Sequence, residues 1–226
     1  MSEGNGAREP GLPPAPAAPL GVGRVIDPSA ISARDRYQLM TSLVVPRPIG
    51  WISTRAADGV ANLAPFSYFA ALSISPMLVG VSIGERRDGF KDTLVNIRHR
   101  RAFCVNVVTE PLLEQMNESS ASVPPGVDEF VLVGLTAVES ERVDAPYAAE
   151  CPAILECEVR QEVDLGGAPN TLVVAEVVGV RLSSRLRFED ETMMVLPEDL
   201  RPVGRLGGAS YSVTREIRRL PRPDQR

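Results

Sequence analysis

Two runs in the C-terminal half, ILECEVRQEVDL from position 154 and NTLVVAEVVGVRL from position 170, confront each other across the turn LGGAP. The first alternates, with Leu155, Cys157, Val159 and Val163 on one side and Glu156, Glu158, Arg160 and Glu162 on the other. That is the period of a half-exposed antiparallel strand. The second is more continuously apolar and reads as a central strand paired with the first. Four further strand-type runs precede them: IGWIST, VANLAPF across the turn AADG, MLVGVSIG closed by Gly84, and FCVNVVT. Helical segments are short. ARDRYQLMTSLV places Tyr37, Met40 and Val44 at helical spacing and is stopped by Pro46 and Pro48. DTLVNIRHRR should start on Asp92 or Thr93 as cap, and PLLEQMNESS has proline at its first position. Ser119 to Glu150 is loop-rich, with PPGVDEF as a turn and helical start. Strands in hairpin-like succession, without long helices between them, predict a mainly β fold. A closed or split antiparallel barrel of at least six strands with short flanking helices fits better than a parallel doubly wound sheet.

Residues 1–28 are rich in Pro, Ala and Gly and are expected to form a disordered arm. The domain is expected over 29–212, and the Arg-rich, proline-broken stretch 213–226 as a solvated tail. With a net charge of −5, the chain has no basic surplus to draw it to nucleic acid. No apolar run reaches the ~18 residues of a membrane helix, and the N-terminus lacks the basic start and apolar centre of a signal peptide. The expected location is cytoplasmic. A single histidine, His99, and three cysteines leave almost no material for a zinc site, a histidine relay or a disulfide framework. His99 reads as a solvated residue on a helix face, Cys104 and Cys157 as small core residues, and Trp51 as core or interface.

Three clusters could carry chemistry. PRPIGWIST and DGVANLAPFSYF bring Ser53, Thr54 and Asn62 to a hairpin in which Pro65, unable to donate to a ladder, marks an edge. An opened edge leaves main-chain groups free to pair with the rim of a flat heterocycle. In GFKDTLVNIRHR, Lys91 and Thr93 stand at a helix start, where unpaired N–H groups and the dipole suit a phosphate. VGRLGGASYS pairs glycines with Arg205 and Tyr211, but no GxGxxG follows a strand, so a separate dinucleotide domain is not indicated.

In order, PRPIGWIST, DG, NLAPFSYF, VGVSIG, KDT with NI, FCVNVVTE, DEFVLVGLT, AILECEV, AEVVGV and RLGG with Tyr211 resemble the flavin reductase-like, FMN-binding split-barrel family. The resemblance spans about residues 30–212. It implies a six-stranded antiparallel FMN-binding split barrel and a homodimer with FMN sites near the subunit interface. It places Ser53 and Thr54 at the ribityl and phosphate end and Asn62, Leu63, Ala64 and Pro65 along the isoalloxazine. Ser67, Lys91 and Thr93 would take the phosphate, Asp92 would shape that turn, and Ser82 and Ile83 would complete the wall. Many members carry a histidine in the strand after the EV motif; here the segment is VVGVRLSS, with Arg181 nearby. The implied activity is flavin reduction by NADH or NADPH, with reduced FMN released to a partner monooxygenase. The alternatives are an enzyme of this fold that keeps FMN as a prosthetic group, and a non-enzymatic flavin-binding protein.

Overall fold

A computed structural model describes residues 21, 23–86, 89–167 and 169–222. Positions 1–20 of the expected arm and 223–226 of the expected tail lie outside the described residues. The chain divides into two compact units, Met1–Tyr37 and Gln38–Arg226. In the first, the Asp27 carboxylate accepts from the N–H and hydroxyl of Ser29 and caps a short 3-10 turn, Pro28–Ala30.

The helices are α1 (Ala33–Leu43), α2 (Asp92–Arg100), α3 (Leu113–Glu118), α4 (Glu129–Leu132) and α5 (Pro197–Leu200). The main sheet comprises β2 (Gly50–Arg55), β3 (Ala61–Phe66), β4 (Phe69–Ile74), β5 (Met77–Gly84), β6 (Ala102–Val107), β9 (Ala153–Asp164) and β10 (Asn170–Leu182). Two small sheets complete the fold: β1 (Arg47–Pro48) with β11 (Val203–Arg205) and β12 (Tyr211–Val213), and the hairpin of β7 (Ala137–Glu139) and β8 (Pro146–Ala148).

The seven strands run in the order β3-β2-β6-β9-β10-β5-β4, all antiparallel. The two end strands are consecutive in the chain, separated only by Ser67 and Tyr68. Counted as one bent strand, β3 and β4 close a six-stranded antiparallel barrel, which is the fold the sequence implied. The bend carries the Phe69 ring over Gly50, where an added Cβ would lie 2.8 Å from the ring. β4 is the strand that sequence periodicity does not announce: FAALSI is largely exposed, and its pairing with β5 makes it a strand.

Alternation on the strands separates two cores. Ile52, Phe66, Val81, Ile83, Phe103, Val105, Cys157 and Val173 fill the barrel, together with Leu94 and Ile97 of α2. Trp51, Leu63, Cys104 and Ile154 point outward and are covered by Met116 of α3, Phe130 of α4 and Ala148 of β8. Trp51 is fully buried there, donating through Nε1 to Ser119 Oγ at 2.9 Å. All three cysteines are free and buried, and burial pushes Cys104 and Cys151 up to about 12 and Cys157 higher still. His99 is exposed on α2, as expected.

Arg47 ties the bend to its surroundings. Its buried guanidinium donates to the carbonyls of Thr41 (2.6 Å), Val44 (2.9 Å) and Leu206 (3.1 Å) and to Ser67 Oγ (3.3 Å). One side chain thus gathers the end of α1, the turn of the β11–β12 hairpin and the start of the bend.

The exposed face expected of β9 is only partly solvated. Glu156 is 2% exposed, because residues 140–142 fold over it and Arg181 of β10 reaches it. Burial alone would push its carboxyl up, but hydrogen bonds from Ser140 and Arg181 outweigh this and hold it below the usual carboxylate range. Arg181 also pairs with Glu141 at 3.1 Å. The carboxylate lies over Gly179, where a Cβ would meet Glu156 Oε2 at 2.1 Å. Gly179→Ala should therefore drive the carboxylate from its partners and cost about 3 kcal/mol, the scale of breaking a buried charge pair. Urea unfolding checks this; a midpoint equal to that of the parent would refute it.

Candidate functional site

Edge strand β3 is where the first two clusters meet. Its main chain alternates direction, and Leu63 N–H points away from β2, donating to Glu129 Oε2 at 3.0 Å. Pro65, two residues on and opposite Trp51, therefore turns its missing N–H to the same free edge and costs the ladder nothing. By the same alternation, the carbonyls of Leu63 and Pro65 face outward.

Behind this edge runs a buried polar network. Thr54 Oγ1 (3.2 Å) and Thr93 Oγ1 (2.9 Å) both donate to Asn62 Oδ1. Asn62 Nδ2 donates to both oxygens of Glu129 at 3.0 and 3.1 Å, and Asn96 Nδ2 donates to Thr54 Oγ1 at 3.0 Å. The network bonds β2, β3, α2 and α4 into one frame, with every proton directed toward Glu129. Burial pushes the Glu129 carboxyl above its usual range, and Asp92 adds like-charge repulsion, against the hydrogen bonds from Leu63 and Asn62.

The start of α2 differs from expectation. The cap position falls on Lys91, which makes no side-chain cap bond, because both expected caps are engaged elsewhere. Asp92 pairs with Arg86 at 3.0 Å, and Thr93 turns into the network. Among the described residues, the first helical N–H groups thus have no side-chain acceptor. Lys91 Nζ sits 5.1 Å from the centre of the Phe66 ring, so the helix start lies against the end of β3. Burial lowers the Lys91 pKa, with Arg86 adding repulsion. Among the described residues, no carboxylate forms an ion pair with it.

Thr54, Asn62, Leu63, Lys91, Asp92 and Thr93 are thus brought into one frame, with Ala64 packed on the barrel core and Pro65 on the open edge. Ser53 is on the opposite face of β2. Its hydroxyl donates to Pro146 O at 2.6 Å and accepts from Asn106 Nδ2 at 2.9 Å. Ser67 accepts from Arg47, Ser82 accepts from Asn170 Nδ2 at 3.2 Å, and Ile83 is wholly inside the barrel. Trp51 is too deep to meet a ring, and Tyr211 donates to Asn117 Oδ1 while stacking on Arg205. Sequence reasoning missed Asn96 and Glu129. The signal for the latter was the acidic pair Asp128-Glu129 before an apolar run: Asp128 alone caps α4, which leaves Glu129 for another task.

An antiparallel barrel split at one strand, with an acceptor edge beside a helix start that has no side-chain cap and a lysine that pairs with no described carboxylate, defines the class of protein. The chain belongs to the flavin reductase-like family: the model of the flavin reductase like domain matches residues 40–201. It is 37% identical over 203 residues to an uncharacterised protein of Halalkalibacterium halodurans, covering 88% of this chain and 96% of that one. Among solved structures it is similar to nitrilotriacetate monooxygenase component B from Bacillus cereus (30% identity, TM-score 0.84, 89% of this chain and 100% of the other). It is also similar to the Pseudomonas fluorescens 2-nitrobenzoate 2-nitroreductase NbaA (29% identity, TM-score 0.80, 88% and 96%). Membership supports a flavin-dependent oxidoreductase in general terms. No described helix is long and apolar enough to cross a membrane.

Proposed function

We propose that the chain is an NAD(P)H-dependent flavin reductase that binds FMN across β3 and the start of α2 and releases the reduced flavin to a partner monooxygenase. The observation that carries this reading is Lys91, a half-buried ammonium, pressed by Arg86 and without an anionic partner among the described residues. A phosphate dianion beside it would offset the cost of its burial and take the free N–H groups of Asp92 and Thr93. The family resemblance implies the FMN phosphate at this position, and the acceptor edge from Asn62 to Pro65 supports a ring with a donor on its rim. The resemblance adds Ser67 at the phosphate and Ser82 in the wall, whereas the Ile83 side chain, wholly inside the barrel, has no part in it. Thr54 acts from behind, as a support of β3 through Asn62, while the Ser53 hydroxyl ties β2 to β6 and β8 and takes no part in the site. FMN, when bound, accepts hydride from a reduced nicotinamide, so no acid–base side chain is required of the chain. The chain's own part is to hold the phosphate, orient the ring and leave it accessible.

The name of the Bacillus cereus relative, a monooxygenase component, supports delivery to a monooxygenase. The name of the nitroreductase supports a second reading, in which FMN stays bound and acts directly on a small substrate. Retention of the flavin separates them. Purified protein should lose most of its FMN on desalting and regain oxidation of NADH or NADPH when FMN is added back. A protein that stays yellow and ignores both nicotinamides would overturn the first reading in favour of the second. Lys91→Ala should weaken FMN by about tenfold or more and leave riboflavin nearly unchanged, given ~1.5–3 kcal/mol per charge-assisted bond. Fluorescence titration with both flavins measures this, and equal losses would contradict it.

The reading includes a homodimer. An apolar groove of about 510 Å³ runs along Met40, Val44, Tyr68, Phe69, Leu72 and Leu172, and Ile74 and Met77 extend the exposed apolar surface. A two-fold partner is the commonest cover for such a face. Light scattering at micromolar concentration should give twice the 24.4 kDa chain mass; a value near 24.4 kDa would rule the dimer out.

A further inference from the structure

We infer that Glu129 is the positioning residue of the ring-binding edge: its carboxylate keeps that edge free of donors and sets the direction of the hydrogen bonds linking β3 to α2. The word "ring" here rests on the function proposed above; the positioning itself does not.

Glu129 is 4% exposed, and no described cation pairs with it. Both Glu129 oxygens lie against N–H groups, those of Asn62 Nδ2 and Leu63, so the carboxylate acts here as the acceptor. It therefore compels Asn62 to present its NH₂ group, which turns Asn62 Oδ1 toward α2 and β2. Thr93 and Thr54 must then spend their protons on that oxygen, and Thr54 is left to accept from Asn96. Neutral partners alone could run in either direction; the carboxylate selects one.

The same carboxylate also occupies Leu63 N–H. Between Asn62 and Phe66 the outward main-chain positions are Leu63 and Pro65, and Pro65 has no N–H. With Leu63 taken, this stretch offers only carbonyl oxygens. A ring that docks there must bring a donor, as the imide N–H of a flavin does, and a ring edge with acceptors alone would be repelled. The donor deficit is worth most in a site that excludes water, because an unmatched acceptor pair forfeits a hydrogen bond and adds repulsion.

Two variants separate the roles. In Glu129→Ala the Leu63 amide loses its acceptor. Its hydrogen exchange, followed by NMR in flavin-free protein, should speed up at least about tenfold, while that of Ala64, paired with Ile52 of β2, stays as in the parent. In Glu129→Gln the side-chain carbonyl can keep Leu63 protected, but its NH₂ confronts that of Asn62 and turns it over. Riboflavin, the probe because it lacks the phosphate, should then bind about tenfold more weakly. The parent should prefer riboflavin over 3-methylriboflavin, whose imide donor is blocked, by about tenfold, and Glu129→Ala should narrow that preference. Unchanged Leu63 exchange in Glu129→Ala, or riboflavin affinity in Glu129→Gln within twofold of the parent, would overturn the inference. If the parent binds neither FMN nor riboflavin, the flavin reading falls, and the Leu63 comparison alone decides the positioning role.

Discussion

Residues 61–74 pair with β2 through their first half and with β5 through their second, and a strand can do both only by turning an edge of its own toward open space. Barrel closure and an unpaired edge are therefore one constraint seen from two sides. Gly50 admits the Phe69 ring where the chain turns, and Arg47 ties the turn, through Ser67 Oγ, to the end of α1 and to Leu206. Pro65 lies where its lack of an N–H is harmless. Any other residue there would place a second donor on the open edge.

The frame behind the edge is expensive by itself. Among the described residues, a buried carboxylate without a cation and a half-buried ammonium without an anion sit on neighbouring elements, yet they are not each other's partner. Asp92, the acid nearest Lys91 in sequence, is drawn off by Arg86. A simple ion pair would have relieved part of this at no cost to the fold. Keeping the charges apart leaves the cation available and the acceptors directed, which is the pattern on which the proposed flavin site rests.

Much of this was legible in the sequence, for identifiable reasons. The long hairpin of β9 and β10 advertises itself by alternation and a two-glycine turn, and Pro65 marks β3 as an edge strand. What was not legible depended on neighbours distant in the chain. FAALSI becomes a strand only because β5 offers an edge. Glu156 lay on the face that alternation assigns to solvent, and it is buried because residues 140–142 and Arg181 enclose it. Asp92 and Thr93 are good caps by local preference, but tertiary partners outbid the helix for both side chains. Glu129 lay in PPGVDEF, which reads only as a turn and helical start, and the approach of β3 is what gives it a partner.

The buried thiols carry a consequence for survival in air. Oxidants such as peroxide attack the thiolate, and a thiol held near pKa 12 presents almost none of it at neutral pH. Among the described residues the most exposed sulfur is instead that of Met193, 83% exposed, followed by Met194, Met40 and Met77, all outside the two cores. Oxidative wear should thus fall first on a thioether whose sulfoxide leaves the barrel packing untouched, and whose damage is of a kind that can be chemically reversed.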